Sequence, residues 1–367
     1  MSPLRMLHLA PLLACAPLFL SACGDDNDDD SLQPDTAQFK VMTRNIYLGG
    51  NIELLATAQA PQDIPALAAR IYTTVQATQF AERAKLIADE IQSTDPALIG
   101  LQEVSLFRTQ SPSDFSSNPL PNATTVTYDF LAILQAELQS RGLNYRVAAT
   151  IQNADAEVPA ALAGNATDLT DVRLTDRDVI LARGDVQIAN VETANYDYAQ
   201  DVPVGGASIR FTRGYAKLDA TLDRVSFTFV NTHLETLRPG NENQAAELAT
   251  LVNGFKRPLI VVGDMNSGPG AVTTGYDTLV SANTGLVDAW TRVGTGNGFT
   301  CCFSETVNDT STAALDERID LVLFAGEAKA IDVRSAVVVG GDLENRSASG
   351  LWPSDHAGLV VEFFVSR

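Results

Sequence analysis

From Gln38 onward the chain alternates short apolar runs rich in Val and Ile with stretches whose apolar residues recur every three or four positions. That alternation predicts layered α and β structure. Phe39–Ile46 reads as a first strand. Between residues 80 and 91, Phe80, Ala84, Ile87, Ala88 and Ile91 share one helical face, and Asp95-Pro96 stops the pattern. Leu98–Leu101 is expected to be a buried strand and Tyr128–Leu138 a second amphipathic helix. Further strands are predicted at Tyr145–Ile151, Val179–Ala182, Tyr215–Thr221, Val225–Thr232, Leu259–Val262, Ile319–Phe324 and Leu359–Phe364, with a helix over Asn243–Val252. Three polar or Gly/Pro/Ser-rich stretches, Thr109–Val126, Gln152–Asp176 and Glu192–Arg210, are expected to be surface loops. Neither a repeat nor a break in composition divides the chain, so residues 39–367 are read as one domain.

The first residues do not fit this pattern. Arg5 precedes an apolar stretch, Met6–Leu20, that is short for a bilayer span. It ends in Leu20-Ser21-Ala22-Cys23, which resembles the lipobox of bacterial lipoproteins. The resemblance implies a signal peptide over residues 1–22, a lipidated Cys23 and attachment to a bacterial membrane at the cell envelope. Residues 23–38 then form a tether, acidic through Asp25, Asp26, Asp28, Asp29 and Asp30.

Composition narrows the function. Hydrophobic residues make up 45% and charged ones 19%, which excludes wholesale disorder. The formal charge is −20; without the leader, with its single Arg, and the five tether Asp it is −16. A chain so acidic does not coat nucleic acid with Lys and Arg. Of four Cys, only Cys301 and Cys302 remain in the domain, as a vicinal disulfide or as free thiols.

Polar residues stand immediately after several apolar runs. They are Asn45, Glu103, His233, Asp264, Asn266, Asp320, Asp355 and His356. Each alone has an ordinary explanation as a turn, a solvated charge or a loop residue. Together they take in both His residues outside the leader. Strand ends are where side chains from separate segments can reach a shared cleft.

The segments Thr43-Arg-Asn45, Leu101-Gln-Glu103, Asn231-Thr-His-Leu234, Gly263-Asp-Met-Asn266, Arg318-Ile-Asp320 and Ser354-Asp-His356 resemble, in wording and order, the endonuclease/exonuclease/phosphatase (DNase-I-like) superfamily. The resemblance implies a four-layered α/β sandwich with two packed mixed sheets, and hydrolysis of phosphate esters with a divalent cation. That cation is usually Mg²⁺, with Mn²⁺ or Ca²⁺ as alternatives. By the same resemblance Glu103 is the main metal ligand, with Asn45 and Asp355 in or near its shell. His356 becomes the general base oriented by Asp320, and Asp264 and Asn266 orient the nucleophile or bind developing charge. His233 donates to a phosphate oxygen or protonates the leaving group. Phosphoryl oxygens repel a nucleophile, so hard oxygen ligands around a cation and a base near neutral pH are what this chemistry needs.

Two departures bear on the substrate. Tyr47 stands where many members carry a second acid, and Thr43-Arg-Asn-Ile-Tyr47 is similar to bacterial sphingomyelinases. Arg177-Asp178 precedes the central strand, where either Asp178 approaches the phosphate or Arg177 is a rim cation. A lipid head group or small organophosphate is the expected diester. An extracellular nuclease is the alternative, with Arg44, Arg177, Arg213 and Arg318 supplying local positive charge. A non-catalytic binding lipoprotein is a third reading. Nucleic acid enters only as substrate, and a monomer is expected.

Overall fold

The computed structural model describes residues 35–165 and 167–367. The leader, Cys23 and most of the tether lie outside them. The described chain begins with β1 (Thr36–Asn45), α1 (Ile64–Ala77), α2 (Phe80–Thr94), β2 (Leu98–Gln102), β3 (Leu106–Gln110), β4 (Thr125–Asp129) and α3 (Phe130–Ser140). Six strands follow: β5 (Tyr145–Ala160), β6 (Thr170–Arg183), β7 (Gln187–Asn195), β8 (Gln200–Val204), β9 (Ala207–Phe211) and β10 (Gly214–Leu222). The last part comprises β11 (Val225–His233), α4 (Gly240–Gly254), β12 (Leu259–Asp264), α5 (Gly275–Leu279), β13 (Val287–Asp288), α6 (Ala289–Val293), β14 (Asp320–Ala325), β15 (Ile331–Val339) and β16 (Gly358–Ser366).

Two mixed sheets carry the domain. One runs β15-β16-β1-β2-β6-β3-β4 with β5 on β6; the other runs β13-β14-β12-β11-β10-β7. Phe39, Val41, Ile180, Phe363 from the first sheet meet Leu218, Phe229, Ile260 and Val322 from the second in one buried layer. The outer face of the first sheet is covered by α1, α2 and α3, through Tyr72, Ala84, Ile87, Phe130 and Leu134. The second sheet is covered by α4 and α5, through Leu248, Val252 and Leu279. The result is a four-layered helix–sheet–sheet–helix sandwich, as expected, because each sheet has two apolar faces to bury.

A buried amide links the sheets in the middle of this layer. Asn231 on β11 donates to the carbonyls of Leu101 and Val179 at 3.0 and 3.1 Å and accepts from Gln102 Nε2 at 2.6 Å. Gly100 leaves room for it: a Cβ there would lie 2.5 Å from Asn231 Oδ1.

The expected strands and helices all form, most with longer bounds. The loop expectations fail in part. Gln152–Asp176 is mostly a hairpin, since β5 and β6 pair from Tyr145 with Arg183 to Ala160 with Thr170. Its residues are polar because they face ion pairs rather than core, as with Asp155 on Arg173, so no apolar alternation marked it. β8 and β9 pair inside Glu192–Arg210, and β3 and β4 extend into both ends of Thr109–Val126. Helix α1 and strand β15 had not been singled out, although Ile64, Ala68, Ile71, Tyr72 and Val75 form a buried helical stripe. The tether also ends sooner than residue 38, because Thr36 already pairs with Ser366.

Candidate active site

The C-terminal ends of β1, β2, β11 and β12, the start of β14 and the middle of β6 meet at one site. Strand register decides who meets whom. His233 on β11 lies beside Asp264 on β12, and Asp264 lies beside Asp320 on β14. In the other sheet Asn45 ends β1 beside Gln102 on β2, which delivers Glu103 one residue later. The chain leaves these strands in left-handed conformation at Tyr47 (φ 64°), Glu103 (φ 60°) and Asn266 (φ 43°). Such backbone costs about 1 kcal/mol or more per residue and is kept where surroundings enforce it. Gly263 shows one such enforcement: a Cβ there would sit 2.0 Å from the Thr232 carbonyl.

All eight residues singled out in the sequence converge. Asn45 ties the two sheets, its Nδ2 donating to Glu103 Oε1 and to Asp264 Oδ2, both at 3.0 Å. Its Oδ1 accepts from the Tyr47 N–H at 2.9 Å. Glu103 Oε2 accepts from Leu48 N–H at 2.7 Å. Asp264 Oδ1 accepts from Asn266 N–H at 2.9 Å. His356 Nδ1 lies 2.8 Å from Asp320 Oδ2, and its Nε2 is 3.9 Å from Asp264 Oδ2. Asp355 stands at the Glu103 side, its Oδ1 accepting from Ser354 Oγ at 3.2 Å.

The charges explain the protonation states. Burial, then the Asp355 and Asp176 carboxylates, push Glu103 up to about 7. Burial and Asp320 push Asp264 up to about 6, and burial also raises Asp355. Burial pulls His356 down, but Asp320, Asp264 and Asp355 outweigh it and hold the ring well above its ordinary value. His233 is held well below its ordinary value by burial, Arg213 and His356. Arg213 Nη1 sits 3.0 Å from His233 Nδ1. The Asn266 amide Nδ2, which donates to the Leu234 carbonyl at 2.9 Å, sits 3.1 Å from Nε2, so both ring nitrogens face donors, with Asp264 Oδ2 3.5 Å from Nε2. His233 is thus neutral, not a charged acid.

A divalent cation fits the Glu103 side. Glu103 and Asp355 offer hard oxygens, Asn45 Oδ1 already accepts from the Tyr47 N–H, and the Asp355 carboxylate raises the proton affinity of Glu103. Asp320 Oδ1 is also buried without a hydrogen-bond partner.

Sequence reasoning left several residues out. Asp178 is one of them, wholly buried, with Asn153 donating to its Oδ2 at 2.8 Å and its Oδ1 4.0 Å from His233 Nδ1. Its place at the start of an apolar strand was the available signal. Arg83 is another: it is wholly buried and donates to the Ile46 and Pro353 carbonyls at 2.8 and 2.9 Å, tying β1 to the loop that carries Asp355 and His356. Nothing in its helical setting hinted at this. Tyr47 brings no charge to the cleft, since burial and the Asp355 and Glu103 carboxylates keep its phenol protonated.

Phe107, Leu351 and Trp352, apolar residues beside the motifs, are buried in packing, and Trp352 stacks on Phe303 with centroids 4.0 Å apart. Cys301 and Cys302 are joined as a vicinal disulfide, their sulfurs 3.9 and 3.7 Å from His356 Nε2.

The sequence matches the model of the Endonuclease/Exonuclease/phosphatase family over residues 74–356. No curated protein matches it in sequence. A family protein from Bacteroides thetaiotaomicron is similar in structure at 17% identity and TM-score 0.56, over 91% of this chain and 97% of that one. The mannosyl-6-phosphatase of B. thetaiotaomicron VPI-5482 is similar at 17% identity and TM-score 0.56, over 89% and 99%. D. rerio TDP2 complexed with single-strand DNA product is similar at 15% identity and TM-score 0.51, over 89% and 99%. The family match begins beyond Asn45, which the geometry alone brings to the site. With the match spanning more than three quarters of the residues and the same side chains meeting in one cleft, the chain belongs to the endonuclease/exonuclease/phosphatase family.

Proposed function

We propose that the protein is an exported, lipid-anchored phosphodiesterase that uses a Mg²⁺-type cation on lipid head groups or small organophosphates. The observation that carries the hydrolytic reading is the His356–Asp320 pair facing Asp264 across 3.9 Å. Asp320 holds Nδ1, so Nε2 is the atom that takes a proton from water. Asp264, fixed by Asn45 and the Asn266 N–H, orients that water. Neutral His233 donates to a phosphate oxygen. Glu103, Asp355 and Asn45 would hold the cation, which, when bound, offsets charge on the phosphoryl oxygens and lowers the proton affinity of His356.

The arginines near the motifs favour a small substrate over DNA. Arg44 is paired with Glu90, Arg177 with Asp129, Arg213 with Asp176 and Arg318 with Asp288. Each guanidinium is spent, so the positive potential expected beside the motifs is cancelled where a polyanion would need it.

Hydrolysis of sphingomyelin, phosphatidylcholine, bis(p-nitrophenyl) phosphate, inositol phosphates and double-stranded DNA, each with Mg²⁺, tests this. Faster turnover of the lipids or the small diester than of DNA is expected. DNA turnover far above both replaces the substrate reading with a nuclease, and no turnover of any leaves a binding lipoprotein. The anchor has its own test: palmitate labelling that survives Cys23→Ser removes it.

A further inference from the structure

Away from the cleft, the loop between β3 and β4 meets the outer end of the β5–β6 hairpin in a second group of acids. Asp114, Glu157 and Asp171 each bring an oxygen within 4.8 Å of the others. Glu157 is 5% exposed and Asp171 not at all. The nearby Arg108 and Arg173 both turn to Asp155 instead, and no Lys or Arg pairs with the three acids among the described residues.

Part of their hydrogen-bonding capacity is used. Asp171 accepts from Ser113 Oγ and, at 2.9 Å, from Asp114 N–H. Glu157 Oε2 accepts from the N–H groups of Asn122 and Ala123, both at 2.8 Å. The rest is not used: Asp114 Oδ1, Glu157 Oε1 and Asn122 Oδ1 are buried without a hydrogen-bond partner. Asn122 Nδ2 donates to Asp114 Oδ2 at 3.0 Å, which fixes the amide and makes its oxygen the unpartnered atom.

Three carboxylates, two of them out of water and none in a direct ion pair, with only the more distant Arg108 and Arg173 to offset Glu157, are costly to fold. A shared proton would remove one charge and still leave oxygens without a donor. A cation satisfies both needs. The donors are all oxygens, with neither His nor Cys, which disfavours zinc and softer metals. Mixed carboxylate and amide oxygens on an irregular loop suit Ca²⁺, which takes six to eight oxygens in flexible geometry, better than Mg²⁺, which demands an octahedron.

We propose that Asp114, Glu157, Asp171 and the Asn122 amide form a structural Ca²⁺ site that pins loop 111–124 to the β5–β6 hairpin. Asp171 and Asp178 share strand β6 roughly 23 Å apart at full extension, so the site is separate from the cleft. Binding there fixes the outer end of the strand whose middle presents Asp176 and Asp178.

The test is thermal unfolding of the full chain after chelation, titrated with CaCl2 alone and MgCl2 alone. At about 100-fold above its dissociation constant, Ca²⁺ should raise the midpoint by about 5 °C, with a smaller rise for Mg²⁺ at equal concentration. The Ca²⁺ shift should persist in Glu103→Gln and vanish in Glu157→Gln and Asp171→Asn. Asp114→Asn, at the half-exposed member, serves where the buried substitutions do not fold and should weaken Ca²⁺ binding about ten-fold or more. Equilibrium dialysis of Glu103→Gln should find one bound Ca²⁺. An unchanged wild-type midpoint in Ca²⁺ overturns the site. A shift lost in Glu103→Gln but kept in Asp114→Asn also overturns it, by placing the ion in the cleft.

Discussion

The two sheets bring different equipment to the cleft they share. The eight-stranded sheet ends in Asn45 and Glu103 and presents Asp178 from within β6, with Asp355 and His356 leading into its strand β16. On that side acid accumulates, and Asp355 makes Glu103 harder to ionise. The six-stranded sheet ends in His233, Asp264 and Asp320, abreast on neighbouring strands. There the groups are aimed: Asp320 holds His356, the Asn266 N–H holds Asp264, and Arg213 and the Asn266 amide flank the two nitrogens of His233. The difference separates two jobs. Surplus negative charge is what binds a cation, whereas oriented hydrogen bonds are what move a proton. Asn45 touches both halves and couples them.

This division predicts two kinds of damage. His356→Ala or Asp264→Ala should lower kcat by about 10³-fold or more, and added metal should not restore it, because the proton acceptor or the water's partner is gone. Chelation with EDTA should abolish activity in the wild type, reversibly on adding Mg²⁺ or Mn²⁺. Glu103→Gln should cost less, about 10²-fold at a fixed metal concentration, and recover as metal rises. A Glu103→Gln enzyme that ignores metal, or a His356→Ala enzyme rescued by it, would erase the division between the halves.

What joins the sheets should matter to stability before it matters to chemistry. Asn231→Ala removes three hydrogen bonds from the inter-sheet layer, those with Gln102 Nε2 and the Leu101 and Val179 carbonyls. A loss of about 3 kcal/mol is expected, read as a lower Tm, with KM little changed in the folded fraction. An unchanged Tm would mean that apolar packing alone aligns the halves.

These halves were unequally legible. Strand-end residues announced themselves, because Asn45, Glu103, His233 and Asp264 interrupt apolar runs that fix where a strand stops. Strand register then needed nothing further to set His233, Asp264 and Asp320 abreast. The supporting residues were hidden by their surroundings. Arg83 sits mid-helix among apolar neighbours, and its partners are carbonyls some 37 and 270 residues away, so no local pattern can reveal them. Asn153 and Asp176 lie in a hairpin whose polarity imitates a loop. Polarity in a sequence marks contact with water or with other polar groups, and only tertiary structure distinguishes the two.

The smallest expected effect tests the charge surplus directly. In the chelated protein, Glu103 titrates at about 7 and Asp264 at about 6, both above their ordinary values of 4.5 and 3.8. A group whose proton affinity is raised by folding stabilises the fold while protonated and loses that contribution as pH rises through its folded value. His356 is raised too and has the same sign. His233, lowered by burial, Arg213 and the neighbouring His356, has the opposite sign but acts only below its ordinary 6.5. Between pH 6.5 and 8.5 the metal-free protein should therefore lose stability, on the order of 1 kcal/mol since Glu103 retains some solvent contact. Mg²⁺ should flatten the slope in the wild type by replacing protons with a cation, and Glu103→Gln should flatten it without metal. A Tm that rises across this window in EDTA would mean that the acids on the eight-stranded side are already compensated, and the contrast between the two halves would fall.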